Sequence, residues 1–186
     1  MIPMAKKETG AKKEDNPMRR IRINKLVINI GTGNDEKQQA NAKKLLQQIS
    51  GFKPADSIST KRIPSFKISK GAKIGSFVTV RNEPARKLAK KLFEAVGNKV
   101  AERSIQDNTV NFGIKEYIDI NGIKYDPVIG MLGMNVNVSF KRPGLRTELK
   151  KRANWVIKRA HRRIPKEELK SYLKKEFDVT VEGAAQ

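Results

Sequence analysis

The chain has 186 residues, 40 Lys and Arg against 19 Asp and Glu, a formal net charge of +21, no cysteine and a single histidine. This length fits one domain with appended arms, and the composition excludes disulfide frameworks, thiolate metal sites, Cys nucleophiles and multi-histidine metal motifs. The longest uncharged run, Pro127–Phe140, has 14 residues and is too short to span a bilayer, and no apolar stretch follows Met1, so a soluble intracellular protein whose excess charge answers a polyanion is expected.

Residues 1–25 carry eight basic and three acidic side chains, and the first 18 lack helical periodicity, which predicts a flexible basic arm over 1–18. An α+β domain is expected over 19–142. Its first strand runs through Lys25–Ile30, with Leu26, Ile28 and Ile30 inward and Lys25, Val27 and Asn29 outward. Gly31-Thr32-Gly33 follows; Glu36 stands where a dinucleotide fingerprint needs its third glycine, so a tight strand-to-helix turn is predicted. Ala42, Leu45, Leu46 and Ile49 form a helical stripe, begun by Asn34 or Asp35 and stopped at Gly51.

Lys61–Lys73 holds five cations and no acid, with Pro64, Phe66 and Gly71 interrupting regular structure. A mobile basic loop with one aromatic can grip a folded RNA backbone and stack once. Ile74, Val78 and Val80 then alternate with Phe77, Thr79 and Arg81, predicting a second strand. A second helix is marked by Ala85, Leu88, Ala89, Leu92 and Val96. Two further alternations place Val110, Phe112 and Ile114 inward against Thr109, Asn111 and Lys115, and Met134, Val136, Val138 and Phe140 inward against Asn135, Asn137, Ser139 and Lys141. Gly130-Met-Leu-Gly133 has apolar middle residues and leads into a strand, unlike a nucleic-acid clamp that joins two helices.

Residues 141–163 hold ten cations against Glu148 alone. Arg146–Ala160 could form a polar helix anchored by Leu149, Trp155, Val156 and Ile157. A last helix opens at Pro165 with Leu169, Tyr172 and Leu173, making 143–186 a basic helical extension packed on the domain. His161 sits among Lys158, Arg159, Arg162 and Arg163 and suits a phosphate contact better than a catalytic base. Backbone contacts are therefore expected from Arg19, Arg20, Arg22, Lys141, Arg142, Arg146, Lys150, Arg152, Arg159, His161, Arg162 and Arg163.

The element order predicts an antiparallel sheet with helices on one face and an open polar face. Such a face, with one ring and many hydrogen-bonding groups, suits RNA, whose unpaired bases and 2′-hydroxyls are within reach. Neither a cofactor loop nor paired carboxylates are present for an RNA-directed methyltransferase or nuclease. A DNA-compacting protein would account for the charge but not for the polar face.

Several collinear segments carry a more specific signal: Asn16-Pro-Met-Arg19, Ile23–Gly31, Ser50-Gly-Phe-Lys-Pro54, Ser65–Gly71, Val78-Thr-Val-Arg81, Gly122–Pro127 and Arg142-Pro-Gly144. Through them the chain resembles the fifth protein of the large-ribosomal-subunit series, the 5S-rRNA-binding family, in its archaeal and eukaryotic form. The resemblance implies a cytoplasmic ribosomal protein, not an enzyme, with no cofactor or metal. It would bind 5S rRNA and large-subunit 23S-type rRNA in the central protuberance beside other 5S-associated proteins. It also implies contact with P-site tRNA and with the thirteenth small-subunit protein across an intersubunit bridge. Lys25, Asn29, Thr79 and Arg81 match the family's 5S-facing positions, and Phe77, Asn135 and Asn137 share their face. Arg62, Phe66, Lys67, Ile68, Lys70, Gly71 and Lys73 belong to the implied tRNA loop. Phe52 stands where bacterial members carry an RNA-contacting Gln, so stacking or packing replaces a hydrogen bond there. Asn135 stands where many relatives carry Asp, which makes the face less repulsive to phosphate.

Overall fold

A computed structural model describes residues 16–33, 35–145, 147 and 156–182. The expected arm up to residue 15, Asn34, Arg146, Lys150 and Arg152 lie outside the described residues. So does most of the polar helix expected over Arg146–Ala160, and so does the side chain of Arg159. Of that helix's described end, Val156–Lys158 is not helical.

Residues 16–18, expected within the arm, are structured. The Asn16 side chain accepts from Met18 N–H at 3.0 Å and caps a short 3₁₀ turn over Pro17–Arg19. Strand β1 (Arg22–Gly31) leads through a turn with Gly33 at φ 64° into helix α1 (Glu36–Ser50). Asp35 holds the N-cap position without a side-chain bond, while Gly51 closes α1 in the left-handed region and donates to the Gln47 carbonyl at 2.8 Å. Strand β2 (Ala55–Ile58), the basic loop, strand β3 (Lys73–Val80) and helix α2 (Asn82–Ala95) follow. After these come β4 (Lys99–Ala101), β5 (Thr109–Ile114), β6 (Met134–Lys141), the single turn α3 (Arg159–Arg162), α4 (Lys166–Phe177) and β7 (Thr180–Glu182).

The main sheet has strand order β2-β3-β1-β6-β5 and is antiparallel throughout. Period-two patterning buries Leu26, Ile28, Ile30, Val78, Val80, Val110, Ile114, Met134, Val136, Val138 and Phe140 on one face. Against it lie Ala42, Leu45 and Leu46 of α1 and Ala85, Leu88, Ala89, Leu92 and Phe93 of α2. Helix α4 adds Leu169, Leu173 and Phe177 to the same core. Phe93 joins the layers, with its ring 4.9 Å from Phe112 and 5.4 Å from Phe177, while Tyr172 of α4 meets Phe140 edge-on at 5.8 Å. Acidic Glu167 and Glu168 begin α4 and Lys174 and Lys175 end it, complementing the helix dipole.

Strand β2, the β4–β7 ribbon and the 115–133 connection carry no sequence signal. Strands β4 and β7 form a separate parallel ribbon, Lys99 opposite Thr180, each only three residues long. The 115–133 connection between β5 and β6 is held by fully buried Tyr117, whose hydroxyl accepts from Asp126 N–H at 3.0 Å.

Candidate nucleic-acid interface

The register of the sheet decides which outward residues become neighbours. Phe77 stands opposite Asn29, Asn29 opposite Asn135, and Asn135 opposite Gly113, making one row across four strands. The next row runs Thr79, Val27, Asn137, Asn111. A third joins Lys25, Ser139 and Thr109. Of the seven residues expected on this face, six lie within these rows. Arg81 is the exception: pairing ends at Val80, and Arg81, still extended and exposed, takes the N-cap position of α2.

Asn111 belongs to the face as fully as Asn137, its register partner, although the expected site takes in only Asn135 and Asn137 of these strands. The same alternation that turns Val110 and Phe112 inward turns it outward. Asn29, Asn111, Asn135 and Asn137 thus bring four amides together. Among the described residues none of these amides, nor the Thr79 hydroxyl, forms a side-chain hydrogen bond within the chain. Each amide offers two donors and one acceptor oxygen, so the face is rich in unspent hydrogen-bonding capacity.

The basic loop is more ordered than its composition predicts. Ile63 and Ile68 exchange backbone bonds, Ile63 N–H donating at 2.9 Å and Ile68 N–H at 3.1 Å. Between them, Pro64–Phe66 makes a 3₁₀ turn and Lys67 turns the chain back at φ 54°. At the loop's base Ser59 N–H donates to the Ala72 carbonyl and Gly71 N–H to the Ser59 carbonyl, both at 2.8 Å. The result is a closed finger. Phe66 is 73% exposed at its tip, and Arg62, Lys67 and Lys70 are exposed around it, with Ile68 half-buried.

Lys73 is the first residue of β3 and is tied down. Asp56 forms ion pairs with Lys43 of α1 at 2.5 Å and with Lys73 at 3.3 Å. The Lys43 hydrogen bond, with help from Lys73, holds the Asp56 carboxyl below its usual range against a smaller opposing effect of burial.

The remaining cations divide in two groups. Arg19, Arg20 and Arg22 are exposed around the start of β1, and Lys141 ends β6 opposite Arg22. Arg19 and His161 line one concavity of about 570 Å³ that also touches Met18 and Gly144, so the amino-terminal turn and the basic carboxy-terminal segment converge. Arg142 departs from its expected role as a phosphate contact. Its side chain is 12% exposed and pairs with Glu168 of α4, so it fastens the extension to the sheet. Arg163 is split between roles, paired with Asp107 at 2.6 Å yet 56% exposed. Asn108 holds the same segment by accepting from Ile164 N–H at 2.8 Å and donating to the Arg162 carbonyl at 3.2 Å. Phe52 has 45% of its surface exposed at the end of α1.

No helix among the described residues is long and apolar enough to cross a membrane, and no group of His, Cys, Asp and Glu there could hold a metal ion. The sequence matches the family described as ribosomal protein L5 over residues 16–68, and the model for the C-terminus of that same ribosomal family over residues 73–171. It is 39% identical over 167 residues to large ribosomal subunit protein uL5 of Sulfurisphaera tokodaii, covering 89% of this chain and 94% of that one. It is 42% identical over 167 residues to the protein of the same name from Cenarchaeum symbiosum, covering 88% and 97%. With the Nanoarchaeum equitans protein of that name it shares 38% over 168 residues, 90% and 99% of the two chains. Two adjoining family matches and near-full-length archaeal relatives place it: the chain belongs to the ribosomal protein L5 family.

Proposed function

We propose that this protein is a structural component of the large ribosomal subunit that binds 5S rRNA through the open face of its sheet and helps to seat that RNA in the central protuberance. The observation that carries this reading is the cluster of four amides in register, Asn29, Asn111, Asn135 and Asn137, with Lys25, Phe77 and Thr79 around them. Such a face reads unpaired bases and 2′-hydroxyls by hydrogen bonding and stacking. The exposed cations at the start of β1, at Lys141 and around His161 supply backbone contacts to 5S and 23S-type rRNA. The Arg62–Lys73 finger reaches P-site tRNA, with Phe66 against the folded RNA and Lys67 and Lys70 near its backbone. Another edge of the domain meets the thirteenth small-subunit protein at an intersubunit bridge. Membership of a ribosomal protein family fits binding rather than chemistry.

Titration of the full chain against 5S rRNA, an unrelated structured RNA and duplex DNA at one salt concentration tests the central claim. Tighter binding to 5S rRNA than to the other two is expected. Equal affinity for all three would refute recognition by the sheet face.

A further inference from the structure

Toward one end of the sheet the open face changes character. Gly75, Gly31, Gly133 and Gly113 hold outward register positions on or beside β3, β1, β6 and β5; Gly75 is buried, while the other three leave bare backbone exposed there. Packing accounts for two of them. A Cβ on Gly75 would stand 2.6 Å from the Ile30 carbonyl oxygen, and one on Gly133 would stand 3.1 Å from that of Lys115. Packing does not account for the others. A Cβ on Gly31 would meet nothing within 4 Å, and one on Gly113 would make ordinary contacts with Asn135 Oδ1 at 3.5 Å and the Met134 carbonyl oxygen at 3.9 Å.

Neither Gly31 nor Gly113 lies in the left-handed region, so backbone conformation does not require glycine either. Glycine inside a strand is less stable there than alanine, and its presence marks a site where something approaches the backbone closely. Above these glycines lies a concavity of about 510 Å³, within the roughly 300–1,000 Å³ range of ligand clefts. Asn29 and Asn135, directly opposite each other, form part of its wall, and Lys115 also lines it. Both amides are without side-chain partners among the described residues.

We infer that this concavity takes one unpaired nucleobase of the bound RNA, flat over the adjacent Gly31 and Gly133 with its hydrogen-bonding edge toward Asn29 and Asn135 in the next row. A planar ring can lie against backbone only where no Cβ lifts it away. Adjacent amides present donors and acceptors side by side, which matches the mixed pattern along a base edge. Lys115 stands where the phosphate of the same or the next nucleotide would pass. The inference rests on the reading of the sheet as a 5S rRNA face and adds a single-nucleotide pocket to it.

The test uses the full chain and a set of 5S rRNAs in which each unpaired nucleotide is made abasic in turn. Wild type is expected to lose about tenfold in affinity at one position, the scale of one stacked base. Gly31→Val fills the floor with a residue that strands favour. It should melt no lower than wild type, bind intact 5S rRNA about as weakly as wild type binds that abasic RNA, and lose nothing more when the two changes are combined. Gly31→Ala, whose added carbon meets nothing within 4 Å, supplies the same comparison should the valine variant fail to fold.

Intact 5S binding by either folded variant, or additive losses with every abasic RNA, would overturn the pocket while leaving the sheet reading in place. Absence of any preference for 5S rRNA in the wild-type chain would overturn both.

Discussion

Arg22 and Lys141 stand directly opposite each other at the ends of β1 and β6, both exposed and neither in an ion pair among the described residues. Like charges facing across strands destabilise a sheet by a few tenths to about 1 kcal/mol, a cost that a bound phosphate removes. Lys141→Gln should therefore leave the free protein as stable or slightly more so. It should weaken 5S rRNA and unrelated RNA alike and make the slope of log K against log salt shallower by about 0.7–0.9. Thermal melts and salt titrations read both effects. A selective loss on 5S rRNA would assign Lys141 to base recognition instead.

Thr79 and Asn137 lie in one row of the open face, flanking Val27. Thr79→Ala and Asn137→Ala should each cost about 1–2 kcal/mol on 5S rRNA if a partner on the RNA is left unsatisfied, with much smaller losses on unrelated RNA. The two titrations run side by side decide it, since equal losses would reduce both residues to general adhesion.

At the tip of the finger, Phe66 touches little of its own protein. Phe66→Ala should leave the melting temperature and 5S affinity unchanged while P-site tRNA leaves variant ribosomes faster, about 1–3 kcal/mol being the scale of one stacking contact. The dissociation rate of P-site tRNA is the deciding measurement, and an unchanged rate would remove Phe66 from that contact.

Asp56 ties α1 to the base of β3 through Lys43 and Lys73, and these cations hold its carboxyl below the usual 3.8. A carboxyl whose folded pKa is depressed contributes stability above its unfolded value and loses it as pH falls through the folded one. Asp56→Asn should therefore lower the melting temperature at pH 7, with the difference from wild type shrinking below about pH 4. A difference that persisted unchanged at pH 2 would mean that packing, not charge, is what the substitution removes.

The polar face was legible because period-two alternation makes the sides of a strand explicit: Leu26, Ile28 and Ile30 inward put Val27 and Asn29 outward. Which outward residues become neighbours was not legible. The Asn29–Asn135 contact depends on pairing between strands more than 100 residues apart, with a bulge at Ile23/Lys25 setting the register. The role of Arg142 was hidden for a similar reason. It reads as one more cation in a basic run, and its partner Glu168 lies on a helix 26 residues further on. The order of the loop rests on Ile63 and Ile68, two apolar residues five apart among cations, a spacing that belongs to neither strand nor helix.

Because β1 sits in the middle of the sheet with β3 on one side and β6 on the other, the first strand to be synthesised waits longest for its second neighbour. Residues 22–31 are complete some 110 residues before Lys141 is added, which at about 5–20 residues per second leaves one of their edges open for roughly 5–20 s. During that interval an apolar strand flanked by cations is exposed in a cell crowded with RNA. Sheet closure therefore cannot precede synthesis of three-quarters of the chain, and a nascent product truncated before β6 would carry a bare central edge open to pairing with another chain.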